Sequence, residues 1–279
     1  MFYVKLITVL LIISTSGTIK AQYYYKDIVS NDQVLAEKVI LKEQKIRNIL
    51  VHSFEGNKEP SKGFFCEKKI SGNYRKIETY TKSNITGKAL LTAVYNEKDQ
   101  LIKSTDSSEL SVNTAVFKYD NDGNVISIVS NSHSNDDDFS TQLNEEHQYF
   151  YDAKGKPAKM FRIKNKKDTS NVLFTLDARG NVIDEQEMGK NGKHYYYYYN
   201  DKNRLTDIVK FNVVKNKLLP DFIFEYNSTG QITQMTTVEE GVSNDYNIWK
   251  YVYNDGLRII EKCFSKENIL LGYFEYEYN

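Results

Sequence analysis

Along most of the chain, aromatic residues occupy every second position and then give way to a short polar block. Trp249, Tyr251 and Tyr253 alternate with Lys250 and Val252, and Phe222, Phe224 and Tyr226 alternate with Ile223 and Glu225. A period of two is the signature of a strand with one packed and one wetter face; a helix would not space its rings this way. Each run ends on an anchor residue at Tyr95, Tyr119, Tyr151, Leu176, Tyr199, Tyr226, Tyr253 and Tyr278, always followed by Asp or Asn. Of the 24 positions at the anchors and two and four residues before them, 18 are aromatic, against three of the 16 between, so the two faces differ in kind.

The polar block has its own grammar. The fourth residue after the anchor is Gly123, Gly155, Gly180 or Gly230 in four copies, and the sixth is Leu101, Val125, Pro157, Val182, Leu205 or Ile232. Asp and Asn form the turn, Gly supplies a positive φ, and the apolar residue starts the next strand. These features predict a mainly β fold: an antiparallel meander of repeated β-hairpins, drawn into a twisted or curled sheet.

Ahead of the repeats, Asn31 or Asp32 is placed to cap a short helix running to about Lys45, with Leu35, Val39 and Ile46 on one face. Residues 46–54 and 63–70 then read as paired strands around Glu55-Gly56-Asn57, and Thr81–Lys88 as a turn. Residues 1–21 read as a signal peptide: Lys5 precedes the apolar stretch Leu6–Ile13, and Ala21-Gln22 offers the cleavage point. No later stretch approaches 18 apolar residues. The expected organisation is a leader over 1–21, a helix and first strands over 22–89, and hairpin repeats over 90–279, the last two forming one continuous domain. The mature chain is expected to be exported, periplasmic or secreted, with no membrane span.

Composition sharpens this picture in two respects. The 279 residues include 22 Tyr and 14 Phe but only 1 Trp and 4 Met, a bias towards pleated, half-buried surfaces. Thirty-seven basic residues balance 37 acidic ones, which excludes a nucleic-acid partner held by phosphate neutralisation.

The Tyr-Asp-x-x-Gly-x-hydrophobic unit, over roughly residues 90–279, resembles the YD repeat of bacterial Rhs-type proteins. The short array behind a leader looks most like small exported YD-repeat-like proteins of unknown function. Here Gly-Asn, Gly-Lys or Gly-Gln stands where the family carries Gly-Arg. Large Rhs proteins wind many repeats into a shell around a toxin, for which seven hairpins are too few. The resemblance therefore implies the architecture, a long meander with tyrosine-lined packing, and not the toxin-enclosing role.

Candidate chemistry is sparse. His52, His133, His147 and His194 are scattered, and no phosphate-loop, nucleophile-elbow or zinc-helix motif occurs, so neither a catalytic set nor a cofactor is expected. His147 falls on the aromatic face, where a hydrogen-bonded, half-buried histidine is expected in preference to a general base. Asp120-Asn-Asp-Gly-Asn has its glycine at position 4, not the 6 a calcium loop needs, and reads as a turn. Asp136–Asp138 reads as a solvated loop, with weak calcium binding as the alternative. Cys66 and Cys263 either pair in an oxidising compartment or sit apart as buried thiols. Phe150, Tyr196 and Tyr198 break the pattern by standing on the second face, where they could form a platform for a glycan or a cell-surface protein. The expected function is thus an exported, non-enzymatic β-repeat scaffold or binding protein. The alternative is a hydrolase of extracellular polysaccharide using carboxylates in a groove between hairpin turns.

Overall fold

The computed structural model describes residues 22–135, 142–189, 192–212, 216–238 and 245–279. The leader and Asp136–Asp138 lie outside the described residues.

A π-helical segment, Tyr24–Val29, runs into the helix α1, Ser30–Glu43. The first strands are β1 (Asn48–Glu55), β2 (Phe65–Ile70), β3 (Lys76–Ser83) and β4 (Gly87–Tyr95). They are followed by β5 (Leu101–Ser108), β6 (Ser111–Tyr119), β7 (Val125–Ser134), β8 (Gln142–Tyr151) and β9 (Pro157–Lys164). Next come β10 (Asp168–Leu176), β11 (Val182–Glu187), β12 (His194–Tyr199), β13 (Leu205–Asn212) and β14 (Lys217–Tyr226). The chain finishes with β15 (Ile232–Val238), β16 (Tyr246–Asn254), β17 (Leu257–Ser265) and β18 (Leu270–Tyr278).

Every strand pairs antiparallel with its sequence neighbours, as the hairpin grammar predicts. The sheet does not stay open, however: β1 pairs with β2 on one side and with β18 on the other, from Ile49↔Tyr278 to Glu55↔Gly272. The expected twisted or curled sheet is therefore an 18-stranded closed barrel. Closure gives both terminal strands a partner and leaves no edge to template association.

The repeat turns all fall at one rim, because the strands alternate in direction. At six of them the Asx side chain organises the backbone: Asp120 Oδ1 accepts from the N–H of Asp122 at 3.0 Å and of Asn124 at 2.8 Å, and Asn227 Oδ1 from those of Gly230 and Gln231. Asn96, Asp152, Asp177 and Asn200 do the same. The fourth position after the anchor is left-handed in six turns, held by glycine in four and by Asp99 and Asn203 in two. The ladder slips at each of these anchors, as between Lys118 and Tyr119, so one extra residue bends the strand into the rim.

The anchor is tyrosine for a reason that the turn alone does not supply. Tyr151 Oη donates to the carbonyl of Val125 at 2.7 Å, which begins the strand after the preceding anchor. Tyr119, Tyr199, Tyr226, Tyr253 and Tyr278 donate likewise to Leu101, Val182, Leu205, Ile232 and Arg258, at 2.6–2.9 Å. Each hydroxyl thus ties one hairpin to the one before it, while its ring packs inward.

The aromatic face is the inner face. Tyr95, Tyr149, Tyr195, Tyr197, Trp249 and Phe274 are all buried. Barrels of 16–18 strands are wide enough to hold an aqueous channel. Here large rings and the chain's own helix take up that space. Tyr23 meets His147 edge-on at 4.9 Å, Tyr24 meets Tyr197 at 5.4 Å, and Tyr25 packs on Phe222 and Phe224. Further along, Lys38 lies over the Tyr95 ring at 4.5 Å, and Glu37 pairs with Lys68 at 3.2 Å.

Two details of the expected helix are corrected. It starts upstream of Asn31 and Asp32, with no side-chain cap, because its first N–H groups are satisfied by a barrel carboxylate, Glu185. Val39 is half exposed, whereas Lys38 and Leu41 are buried, so the barrel's geometry and not apolar spacing selects the packed face.

The outer wall carries charges in mid-strand among exposed apolar side chains such as Leu173 and Val252. Lys250 stands mid-strand opposite Lys262 on one side and Gln234 on the other, and Glu275, Glu277, Glu67, Lys69 and Glu78 share this face. A lipid-facing barrel needs an unbroken apolar band, and each midplane lysine there would cost about 2–4 kcal/mol. Among the described residues, no helix is long and apolar enough to cross a membrane.

Candidate functional site

The inner face carries a few charges among its rings, and they gather where the helix enters. His147, on β8, is buried between two carboxylates: Nδ1 lies 2.5 Å from Asp27 Oδ2, and Nε2 2.8 Å from Glu145 Oε1. Tyr149 Oη donates to the same Asp27 oxygen at 2.7 Å. Arg162, on the neighbouring strand β9, donates through Nε to Glu145 at 3.2 Å and through Nη1 to Glu187. Lys164 Nζ stands 3.9 Å from Glu145, so three cations face three carboxylates.

Burial would lower the His147 pKa, but Asp27 and Glu145 outweigh it and raise the imidazole to about 9. The Glu145 carboxyl is held below the ordinary value against its burial, by His147 and Arg162. An imidazolium with both nitrogens engaged has no lone pair for a substrate proton, so the group cannot act as a general base while so bound. Its work is to clasp the helix to the wall. The expectation of a hydrogen-bonded histidine agrees with this geometry, although the ring is buried more deeply than half.

A second buried cluster surrounds the first described residue. Glu185, on β11, accepts from the N–H groups of Gln22, Tyr23 and Tyr24 at 2.9–3.0 Å and from Tyr197 Oη at 2.7 Å. Nearby, Asp221 is paired with Lys210 at 2.8 Å and accepts from Gln22 Nε2 at 2.5 Å. A third pair, Arg258 and Glu261, lies against Tyr251, with the guanidinium 4.6 Å from the ring centre. Sequence reading missed Asp27, Glu145, Arg162 and Glu185. The available signal was a charge on the aromatic face, as at Glu145 and His147, six and four residues before Tyr151.

The three aromatics expected on the second face do stand on the outer wall. Phe150 and Tyr198 are 38% and 47% exposed, and Tyr196 is partly covered. They do not form one cluster. Tyr196 and Tyr198 share β12, whereas Phe150 lies four strands away on β8, roughly 19 Å across the sheet. Phe150 packs edge-on against Phe161 at 4.9 Å beneath Lys159. Tyr196 packs on His194 at 4.4 Å, and His194 Nε2 is held by Asp184 at 2.6 Å. Leu173, Phe211 and Leu218 are also exposed on this arc of wall, between β10 and β14.

Cys66 and Cys263 are both buried thiols and not a disulfide. They sit on β2 and β17, three strand spacings apart and offset by four residues along the strands, roughly 20 Å in all and beyond the reach of an S–S bond. Burial pushes the Cys66 thiol up to about 11, which leaves it unreactive. The remaining histidines, His52 and His133, are exposed on the outer wall.

Between the turns after β12 and β14 runs an open groove of about 470 Å³ bearing Asp201, Arg204 and Glu225. Both carboxylates are exposed, and Glu225 is taken up by Gln234. A glycosidase sets its two carboxyls facing each other across a cleft that shields them from water, and this groove holds its pair open to solvent. Among the described residues no group of three or more His, Cys, Asp or Glu is arranged to hold a metal ion.

No family model matches the chain, and no curated protein does. Among solved structures it is similar to a porin-like protein from Bacteroides uniformis, with 8% identity and a TM-score of 0.38, covering 84% of this chain and 96% of that one. A porin-like protein from Bacteroides vulgatus matches at 11% identity and a TM-score of 0.32, over 84% of this chain and 98% of that one. The Tc holotoxin pore of Photorhabdus luminescens matches at 14% identity and a TM-score of 0.33, over 77% of this chain and 12% of that one.

Proposed function

We propose that this chain is an exported, non-enzymatic scaffold, a self-filled β-barrel of the YD-repeat type that binds partners on its outer wall. One observation carries the reading: rings on the anchor face are consumed inward, while Phe150 and Tyr198 stand on the wall with no role in packing the lumen. Rings that the fold does not bury, flanked by hydrogen-bonding Lys159, Asp184 and Asp207, suit the apolar face and hydroxyls of a sugar. The same rings suit a surface protein, since tyrosine gives contact area at low entropy cost. The charged wall supports a barrel standing in water and not in lipid, and the rings and helix packed inside it support a filled core over a conducting pore.

The test is a glycan array probed with the mature chain, beside Phe150→Ala and Tyr196→Ala/Tyr198→Ala variants. Binding by the parent that the tyrosine variant loses supports the sugar partner. An empty array defeats it, and capture from the native envelope, with and without the same substitutions, then decides for a protein partner. Loss of the rings without loss of any partner would overturn the wall as the binding face.

A further inference from the structure

Glu185 is the one buried carboxylate in the clusters above for which no cation stands opposite. Its side chain is 1% exposed, and its four donors are three backbone N–H groups and a phenol. The cations nearby are committed elsewhere, Lys210 to Asp221 and Arg162 to Glu145 and Glu187. Beside it, Gln22 Oε1 is a buried acceptor with no donor among the described residues. Gln22 is itself 1% exposed and directs its backbone nitrogen at Glu185 Oε1, at 3.0 Å. Gln22 is also the residue that the leader's Ala21-Gln22 junction would make the first of the mature chain.

We propose that cleavage between Ala21 and Gln22 creates an α-ammonium that forms a buried ion pair with Glu185, so that processing completes the barrel's interior. The inference rests on the export reading. Hydrolysis adds water across the 21–22 peptide bond, leaving a carboxylate on the released leader and an amine on Gln22 that takes up a proton. An internal amide offers Glu185 one proton and no charge, whereas the ammonium offers three protons and the missing charge. The new group also lies at the start of the helical segment that ends in α1. There the carboxylate already collects the N–H groups of Tyr23 and Tyr24, satisfying donors that a helix start leaves open. Burial pushes the Glu185 carboxyl above its ordinary range, and an adjacent ammonium opposes that push.

The experiment compares two full mature chains released by a site-specific protease in vitro, one beginning at Gln22 and one with a single glycine before it. The added residue turns the Gln22 nitrogen into an amide and moves the charge one residue away. The unfolding equilibrium constant should rise about a hundredfold on extension, the scale of breaking a buried pair. In a Glu185→Gln background the same extension should change it less than about threefold, as expected once the coupling partner is gone. Should Glu185→Gln fail to fold, amine acylation supplies the second measurement. The folded Gln22 chain should react about a hundredfold more slowly than the same chain unfolded, as a group reached only by opening does. Equal stability of the two chains, an N-terminus acylated as fast folded as unfolded, or loss of ammonia by cyclisation of Gln22 would each overturn the pair. These results do not depend on secretion. Separately, a first residue other than Gln22 in protein recovered from the exporting cell would refute the processing site.

Discussion

Replacing an anchor tyrosine by phenylalanine isolates the hydroxyl clasp from everything else the ring does. Tyr151 is the cleanest position, since its Oη makes a single 2.7 Å bond, to the Val125 carbonyl, and its ring stays on the packed face. A neutral hydrogen bond contributes about 1 kcal/mol net, and leaving a half-buried carbonyl without its donor adds to that, so Tyr151→Phe should cost about 1–2 kcal/mol. Six anchors carry the clasp, and their sites are separated by two strands, so combining substitutions should add nearly linearly. Removing all six would cost about 6 kcal/mol or more, comparable with the whole stability of many domains. Urea unfolding followed by fluorescence of Trp249, the one tryptophan and a fully buried one, reports the loss directly. The Leu176 copy has no hydroxyl to lose, so Leu176→Phe serves as a control for ring packing alone. If Tyr151→Phe and Tyr226→Phe leave the midpoint unchanged, the clasp is incidental and the anchor is tyrosine for some other reason.

Further expectations are as direct. His147 has its folded pKa raised from 6.5 to about 9, so its stabilisation is complete below pH 6.5 and drains away as pH rises to 9. The loss is about 3 kcal/mol at 1.36 kcal/mol per unit, and denaturation curves that coincide at pH 6.5 and 9 would refute it. Gly155 has φ +71° and open space where a Cβ would go, so Gly155→Ala should cost about 1 kcal/mol through backbone strain alone, read by thermal unfolding. Tyr198→Ala, on the outer wall, should leave the midpoint within about 0.5 kcal/mol of the parent. Neither cysteine should react with a thiol reagent in the native protein, and both should react in denaturant without prior reduction; a need for reductant would restore the disulfide.

The local structure was legible because it is written in short-range physics. Alternation of Trp249, Tyr251 and Tyr253 declares a strand, and Asp120 with Gly123 declares its turn, each within a few residues of chain. Which face is buried could be read too, since only one is aromatic. The reason for tyrosine over phenylalanine was not legible, because Tyr151 finds its acceptor at Val125 on the previous hairpin. The helical start was misplaced for the same reason: Glu185, far along the chain, satisfies the N–H groups of Tyr23 and Tyr24, so the helix begins ahead of Asn31 and Asp32 and needs no cap from either.

Closure belongs wholly to the tertiary structure. Nothing in β1 or β18 alone says that Ile49 will lie opposite Tyr278; that pairing follows from the accumulated bend of the hairpins between them. Once the ring closes, a face of aromatics too rich for a single-layer sheet becomes the filling of a wide lumen, shared with the chain's own helix. The charges on that face, at Glu145, His147, Arg162 and Glu185, then acquire partners that no spacing along the sequence could have paired. The sequence by itself determined the strands, the turns and the packed face, since these depend on neighbours in the chain. The number of strands that closes the circle, and what the circle encloses, depend on contacts between residues far apart.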